Sequence, residues 1–561
     1  MESSRSASPR RGSGIQFLLT CTAIFASAIA FRFYARVEWP WFALGWIGFV
    51  PWLWTLDRAP SWRAALIAGV LMCEAFTLAV FSWFAVAIQN YTGASLVLCV
   101  GIVLLLAPLL QPQLWMFALL RWWIGRCSAP SWRPKIVIGA CVYVGCEWLW
   151  PKLFGDTIGH GFFASRLLRQ AADLVGAHGL TFVLIVANEC VLEALMRLRR
   201  GDHPLTPSLA RRRFLPPLII PASIIAVLSI YGAVRIAQLT NGVDAKPVTA
   251  ALIQADISRY ERLAAQLGTF DAVRTILDAH FKLTAAALER TAVDFAVWPE
   301  TVYPTTFGSP KSEDGAAFDR EIAAFAADHN LPLIFGAYDV ENEREFNAAF
   351  FLQRDDNRQL SFETYRKASL FPLTERVPAW LDIEPVRRRL PWLGTWKPGA
   401  APDVVVLRLN EGRTLKVAPL ICYDAVDPRL TIDAVRHGAE MIVTISNDSW
   451  FASGGGPRLH LVVSAFRTLE TRRPQVRATN TGISAIIDAT GDIAALADVG
   501  ERTALIASVA PADHRQTLLL AWGDWFPPAA FVLAVAGLVR VRGQSRKFVQ
   551  KVGNACIQNP P

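Results

Sequence analysis

Apolar residues form long unbroken runs through the first 240 positions and again near the C-terminus, while the stretch between alternates short apolar runs with mixed ones. A bilayer core takes roughly 20 apolar helical residues at about 1.5 Å each. Runs of that order occupy about 15 to 34, 38 to 56, 64 to 88, 93 to 121, 136 to 151, 177 to 196, 215 to 238 and 518 to 540, which predicts about eight membrane-crossing helices. The fifth is short and aromatic-rich, and Pro108 and Pro112 predict a kink in the fourth. Between 240 and 515 the pattern becomes α/β. Val248 to Gln254, Phe295 to Trp298, Pro332 to Ala337, Ala348 to Leu352, Val417 to Ile421, Met441 to Ile445 and Ile483 to Ile487 read as buried strands. The stretches 260 to 290, 315 to 329 and 430 to 438 read as amphipathic helices.

Composition agrees: 53% of the 561 residues are apolar, too many for one soluble globule of this length. Thirteen of the 20 Trp fall in the first 150 residues, where indoles suit membrane interfaces. The net charge of +9 does not point to nucleic acid, because Lys and Arg cluster beside apolar runs instead of along one face. Arg10 and Arg11 precede the first run; Arg58 and Arg63 follow the second; Arg121, Arg126, Arg133 and Lys135 follow the fourth. Arg197, Arg199, Arg200, Arg211, Arg212 and Arg213 follow the sixth, and Arg540, Arg542, Arg546 and Lys547 the eighth. By the positive-inside rule both termini are expected in the cytoplasm and residues 240 to 515 outside it. The first run is expected to stay on the chain, since a second run follows almost at once. The expected division is a transmembrane part at 1–239, an extracytoplasmic domain at 240–515, and a last helix with a basic tail at 516–561.

Candidate chemistry lies in the polar stretch. Val297-Trp298-Pro299-Glu300 ends a strand in a carboxylate, Tyr365-Arg366-Lys367 leads into a Pro-punctuated loop, and Ile421-Cys422-Tyr423-Asp424 puts a thiol at a strand end before a turn at Asp427-Pro428. Cys422 is the one cysteine of that stretch among nine, and no CxxC spacing with matching histidines suggests zinc or a disulfide framework. Each motif alone is ordinary. Together they suit acyl transfer: a thiol whose thiolate a nearby ammonium favours, a carboxylate to take its proton, and the lysine with a backbone N–H to hold an oxyanion. Glu74 and Glu147 lie in apolar runs, where pairing inside the helix bundle is the simpler reading.

The order Glu300, Lys367, Cys422 resembles the nitrilase, or carbon–nitrogen hydrolase, superfamily. With the apolar runs, and with Asn447-Asp448-Ser449-Trp450-Phe451, Arg467-Thr468-Leu469-Glu470 and Arg477-Ala478-Thr479-Asn480-Thr481-Gly482, the whole chain resembles bacterial apolipoprotein N-acyltransferases. The resemblance implies a helical bundle of about eight helices carrying a four-layer αββα sandwich in a bacterial inner membrane. It implies Glu300 as general base, Lys367 as oxyanion support and Cys422 as nucleophile, with Glu375 orienting the lysine, Asn347 shaping the site, and Trp298, Pro378, Tyr423 and Asp424 around them. A phospholipid would be the acyl donor and a diacylglyceryl lipoprotein the acceptor, with no cofactor, no metal, no nucleic acid, and a monomer as the working unit. The chain departs from the family pattern at Asp424 (usually Glu), at Thr374 in the Pro372-Leu373-Thr374-Glu375 loop (usually Gly), at Arg458 (usually His, before His460) and around 152 to 162. These leave open a membrane-tethered amidase, or an acyltransferase with another acceptor.

Overall fold

The computed structural model describes residues 10–558 apart from 128–131, 151, 200–206, 242–244, 258–259, 391–392, 401–403, 452–453 and 513–514; side chains at 10–13, 132–133, 207–213, 261 and 544–558 are also outside it. The basic residues Arg10, Arg11, Arg133, Arg200, Arg211, Arg212, Arg213, Arg546 and Lys547, and Cys556, therefore fall outside the described side chains.

The apolar runs fold as α1 (Arg10–Tyr34), α2 (Val50–Asp57), α3 (Trp62–Thr92), α4 (Leu96–Leu110), α5 (Pro112–Cys127), α6 (Trp132–Leu149), α7 (Ala172–Arg199) and α8 (Pro207–Thr240). Five helices among the described residues are long and apolar enough to cross a membrane alone, and α4 with α5 makes a sixth span bent by 47°. The bend follows the expected prolines: Pro108 lies inside α4, and Pro112 opens α5. The second expected span is not one rod. A 3-10 segment at Trp41–Trp46 precedes the eight-residue α2, because Pro40 and Pro51 punctuate the run, yet both pieces pack back along α1. Gly176, at φ 63°, breaks α7, so its straight part starts where the apolar run does.

The polar stretch holds β1 (Val248–Gln254), α9 (Tyr260–Leu267), α10 (Thr269–Arg290), β2 (Phe295–Val297), β3 (Tyr303–Thr306), α11 (Glu313–Asp328), β4 (Leu333–Glu341), β5 (Arg344–Arg354) and β6 (Leu360–Arg366). It continues with α12 (Glu384–Arg389), β7 (Val405–Arg408), β8 (Thr414–Ile421), α13 (Pro428–Arg436), β9 (Met441–Ser446), α14 (Gly455–Thr471), β10 (Gln475–Thr479), β11 (Ser484–Ile487), β12 (Ile493–Ala497) and β13 (Thr503–Val509). The final apolar run, expected continuous from 518 to 540, is α15 (Leu518–Trp522) and α16 (Phe526–Gln558), separated at Gly523, whose φ is 73°.

One sheet runs β13-β1-β2-β4-β5-β6 with β3 also on β4, and the other β12-β11-β10-β9-β8-β7. Their inner faces meet through Leu252, Val297, Phe351, Val417, Val443 and Ile486. Alternate residues point outward, as strand geometry requires: Ala251 and Trp298 pack under α10 and α11, and Ala418 and Ile442 under α13. That is a four-layer αββα sandwich. The remaining outer helix, α14, is sandwiched too. Phe466 and Leu469 share one apolar cluster with Ala485 and Ile487 of β11 and with Leu180 and Leu184 of α7.

A buried charge knot locks this seam. Arg472, which caps α14, donates from Nε to Asp173 at 3.0 Å, and from its two terminal nitrogens to the Gln170 side chain and backbone, each at 2.7 Å. Asp173 also accepts from Tyr231 at 2.6 Å and Arg235 at 2.7 Å on α8. Without Arg472, Asp173 keeps Arg235, but the buried Gln170 side-chain oxygen loses its donor, which costs about 1–3 kcal/mol. Arg472→Leu is therefore expected to lower the melting temperature of the detergent-purified protein clearly; an unchanged melting temperature would contradict the role given to this knot.

Candidate active site

Four strand ends place the polar groups. After β2, Trp298 N–H still bonds Ile334 O at 2.8 Å, and Pro299 then ends the ladder and turns Glu300 inward. The turn presses on Gly336, where a Cβ would sit 2.6 Å from Glu300 Cα. Asn347 on β5 and Lys367 just past β6 face the same point, their backbones joined by Lys367 N–H to Asn347 O at 2.8 Å. Glu300 Oε1 accepts from Asn347 Nδ2 at 2.7 Å and from Lys367 Nζ at 3.1 Å, and Oε2 accepts from Asn447 N–H at 2.9 Å, beyond β9. Lys367 Nζ also donates to Glu375 Oε1 at 2.7 Å, while Glu375 Oε2 takes the Phe371 N–H at 2.7 Å and so closes the intervening loop. Lys367 is 1% exposed and Glu300 4%. Burial works against the ammonium, but Glu300 and Glu375 outweigh it and hold Lys367 protonated well above lysine's ordinary range.

Cys422 follows β8 with φ 49°, a left-handed conformation that costs a non-glycine residue about 1–3 kcal/mol. Its carbonyl lies 3.2 Å from His460 Nε2 on α14. His460 Nδ1 lies 3.0 Å from Asp448, which Ser446 at 2.8 Å and Arg477 at 3.1 Å also engage. Burial opposes the Asp448 charge, yet His460 and Arg477 push its carboxyl down to about 2. A peptide plane carries its C=O and N–H on opposite sides, so fixing the Cys422 carbonyl also aims the Tyr423 N–H. Asp424 holds the other flank: it accepts from Tyr365 Oη at 3.0 Å, Ile421 N at 3.0 Å, Ala368 N at 3.2 Å and Ser369 N at 2.7 Å, tying the cysteine turn to the lysine loop.

The thiol departs from expectation. Burial, and next the Glu300 charge, raise Cys422 well above the ordinary thiol range, and Lys367 only partly offsets them. Both influences favour the neutral thiol over the thiolate that lysine alone suggested.

Cys422 opens into a narrow, largely aromatic cleft lined by Phe371, Tyr423, Trp450 and Phe451 together with Trp83 of α3 and Phe154 of the loop after α6. Phe371 touches the Phe154, Tyr423 and Trp450 rings at centroid distances of 6.2, 5.1 and 5.2 Å. Both halves of the chain thus build one site. The structure gathers Glu300, Lys367, Cys422, Glu375, Asn347, Tyr423 and Asp424. Trp298 is not among them: its ring lies in the outer layer against Phe281 and Phe325, with Nε1 on Thr284. Pro378 sits in a loop turn, accepting from Leu381 and Asp382 N–H. His460, Asp448 and Arg477 were missed as site residues, though all three stand in or beside the motif stretches. Arg458, the departure before His460, donates to Arg36 O at 2.6 Å and so ties α14 to the membrane half.

Residues 249–517 match the carbon-nitrogen hydrolase family model, and residues 25–190 match that of the apolipoprotein N-acyltransferase N-terminal domain. The two matches take in both halves of the site. The chain belongs to the apolipoprotein N-acyltransferase family. Among curated relatives, the apolipoprotein N-acyltransferase of Bdellovibrio bacteriovorus is 25% identical over 88% of this chain and 88% of its own length. That of Caulobacter vibrioides is 29% identical over 79% and 78%, and apolipoprotein N-acyltransferase 2 of Treponema denticola 24% over 68% and 71%. As in this family, the chain is a bacterial membrane protein.

The thiol's setting is testable without substrate. Glu300→Gln removes an anion beside the sulfur, which lowers the thiol pKa and raises the thiolate fraction at any fixed pH below it. Iodoacetamide should label Cys422 slowly in the parent protein at pH 8 and faster in Glu300→Gln, by a factor on the order of ten. Slower labelling of the variant would contradict the electrostatics.

Proposed function

We propose that the chain N-acylates the amino-terminal diacylglyceryl-cysteine of lipoproteins, taking the acyl group from a membrane phospholipid through a thioester on Cys422. One observation carries this reading: the partly buried Cys422 thiol faces a buried Glu300–Lys367–Glu375 chain and opens into an apolar cleft that the membrane helices help to line.

A neutral thiol is a poor nucleophile until its proton leaves, so Glu300 accepts that proton as the sulfur attacks the ester carbonyl. The oxyanion forms against the Lys367 ammonium and the Tyr423 N–H, which are fixed beforehand by Glu375 and by His460. Collapse breaks the C–O bond; Glu300 returns the proton to the departing oxygen, and lysophospholipid leaves. In the second half the neutral α-amine of the lipoprotein attacks the thioester carbonyl. Glu300 takes a proton from nitrogen, the C–S bond breaks, and the thiol is restored as the amide forms. Water is the competing nucleophile, and the rings of Phe371, Trp450 and Phe451 limit its access.

On the same reading the sandwich lies on the periplasmic side of a bacterial inner membrane, with both termini cytoplasmic and a monomer as the working unit. The cleft favours a long acyl chain over the small amide of the hydrolase alternative, because Trp83 and Phe154 bring membrane-side rings to the thiol. Expression in a strain depleted of its own lipoprotein N-acyltransferase tests the reading. Growth and triacylated lipoproteins are expected with the parent gene and not with Cys422→Ala; rescue by both, or by neither when both proteins reach the membrane, would sink it.

A further inference from the structure

Arg477, on β10, is fully buried, yet only one of its side-chain nitrogens is engaged. Nη2 donates to Asp448 Oδ2 at 3.1 Å and lies 3.1 Å from His460 Nδ1, while Nε and Nη1 have no partner among the described residues. A buried guanidinium with unused donors is costly, so its retention calls for an explanation in what the engaged nitrogen does. That nitrogen meets the ring that holds the nucleophile turn.

His460 stands between two acceptors and one donor. The Cys422 carbonyl, 3.2 Å from Nε2, can only accept, so this contact is a hydrogen bond only while Nε2 carries a proton. Asp448 Oδ1, 3.0 Å from Nδ1, also only accepts, since His460 and Arg477 keep the carboxylate ionised. As imidazolium the ring serves both. A neutral ring has one proton to place, and a carboxylate is a stronger acceptor than a carbonyl. Left with those two partners alone, the proton settles on Nδ1 and the Cys422 carbonyl loses its donor. Arg477 reverses that choice: it gives Asp448 a donor of its own, and it offers Nδ1 a hydrogen that only a bare nitrogen can accept. The remaining titratable group facing the ring is the Cys422 thiol, within 4.8 Å, and the other neighbours, Phe451 of the loop before α14 and Trp83 and Phe154 across the cleft, are uncharged.

We propose that Arg477 is a positioning residue for the reaction at Cys422: it keeps a proton on His460 Nε2 whether or not the ring is charged, and so holds the Tyr423 N–H toward the oxyanion. The proposal rests on the acyl-transfer reading and deepens it by naming the group that keeps the oxyanion donor aimed as pH rises. Arg477 touches no substrate and acts only through His460.

The test follows acylation of Cys422 by intact mass between pH 6 and pH 9, with the full chain in phosphatidylethanolamine nanodiscs and no acceptor. In Arg477→Met the ring releases the carbonyl as it gives up its second proton. Outright loss of an oxyanion donor costs about 10²–10³ in rate, so a misaimed one predicts a variant-to-parent ratio that falls by a factor on the order of ten as pH rises across this range. Alkylation of Cys422 by iodoacetamide forms no oxyanion, and its variant-to-parent ratio is expected to show no such fall. The double variant His460→Gln with Arg477→Met should lose the alkaline fall, because an amide donor has no second tautomer to adopt. A ratio that stays level, or one that falls as steeply in alkylation as in acylation, would overturn the role of Arg477 while leaving acyl transfer standing. The parent's own acylation rate is expected not to decline between pH 7 and pH 9, and a decline there would overturn the proposal even if no variant accumulates. Absence of any adduct in the parent protein at every pH would take the acyl-transfer reading down as well.

Discussion

An ammonium buried to within 1% of its surface survives only if carboxylates accompany it, and Lys367 has two. That requirement organises the sandwich. Glu300 comes from the end of β2, Lys367 from the end of β6, and Glu375 from the loop that β6 feeds, so the three charges meet only when the first sheet has its register. The partnership also shapes the loop: Glu375 takes its second hydrogen bond from the Phe371 N–H, which sets the Phe371 ring over the cleft. One electrostatic constraint thereby fixes the proton acceptor, the oxyanion donor and part of the aromatic cover.

The second constraint is the seam. α14 faces strands on one side and membrane helices on the other, and it supplies His460 to the nucleophile turn and Arg472, just past its end, to the charge knot. Trp83 packs edge-on against Phe451 at 5.2 Å, so a displacement of the helix bundle reaches the cleft directly. The strained Cys422 backbone persists because Asp424 pins one flank and His460 the other.

Much of this is legible in the sequence where burial is simple. β1 runs from Val248 to Gln254 as its apolar run indicates, and the buried strands ending at Glu300 and Cys422 announce themselves in the same way. Elements with mixed surroundings are harder to read. α14 has no amphipathic period because it is buried nearly all round, and β10 hides in Gln475-Val476-Arg477-Ala478-Thr479, whose polar side chains are enclosed by Thr444, Ser464 and Asp448. The charge state of Cys422 also escapes a residue list. A nearby lysine suggests a thiolate, and only the degree of enclosure together with the Glu300 charge reverses that.

The proposed chemistry depends on a thioester on Cys422 that an amine, in preference to water, resolves. Its most direct test is intact-protein mass spectrometry of the purified chain in phospholipid, before and after addition of a diacylglyceryl-cysteine peptide. A single acyl adduct is expected, confined to Cys422, stable in buffer, and transferred to the peptide's α-amine on its addition. An enzyme that acylates the peptide without ever carrying the adduct, or an adduct that buffer alone removes as fast as the peptide does, would contradict it.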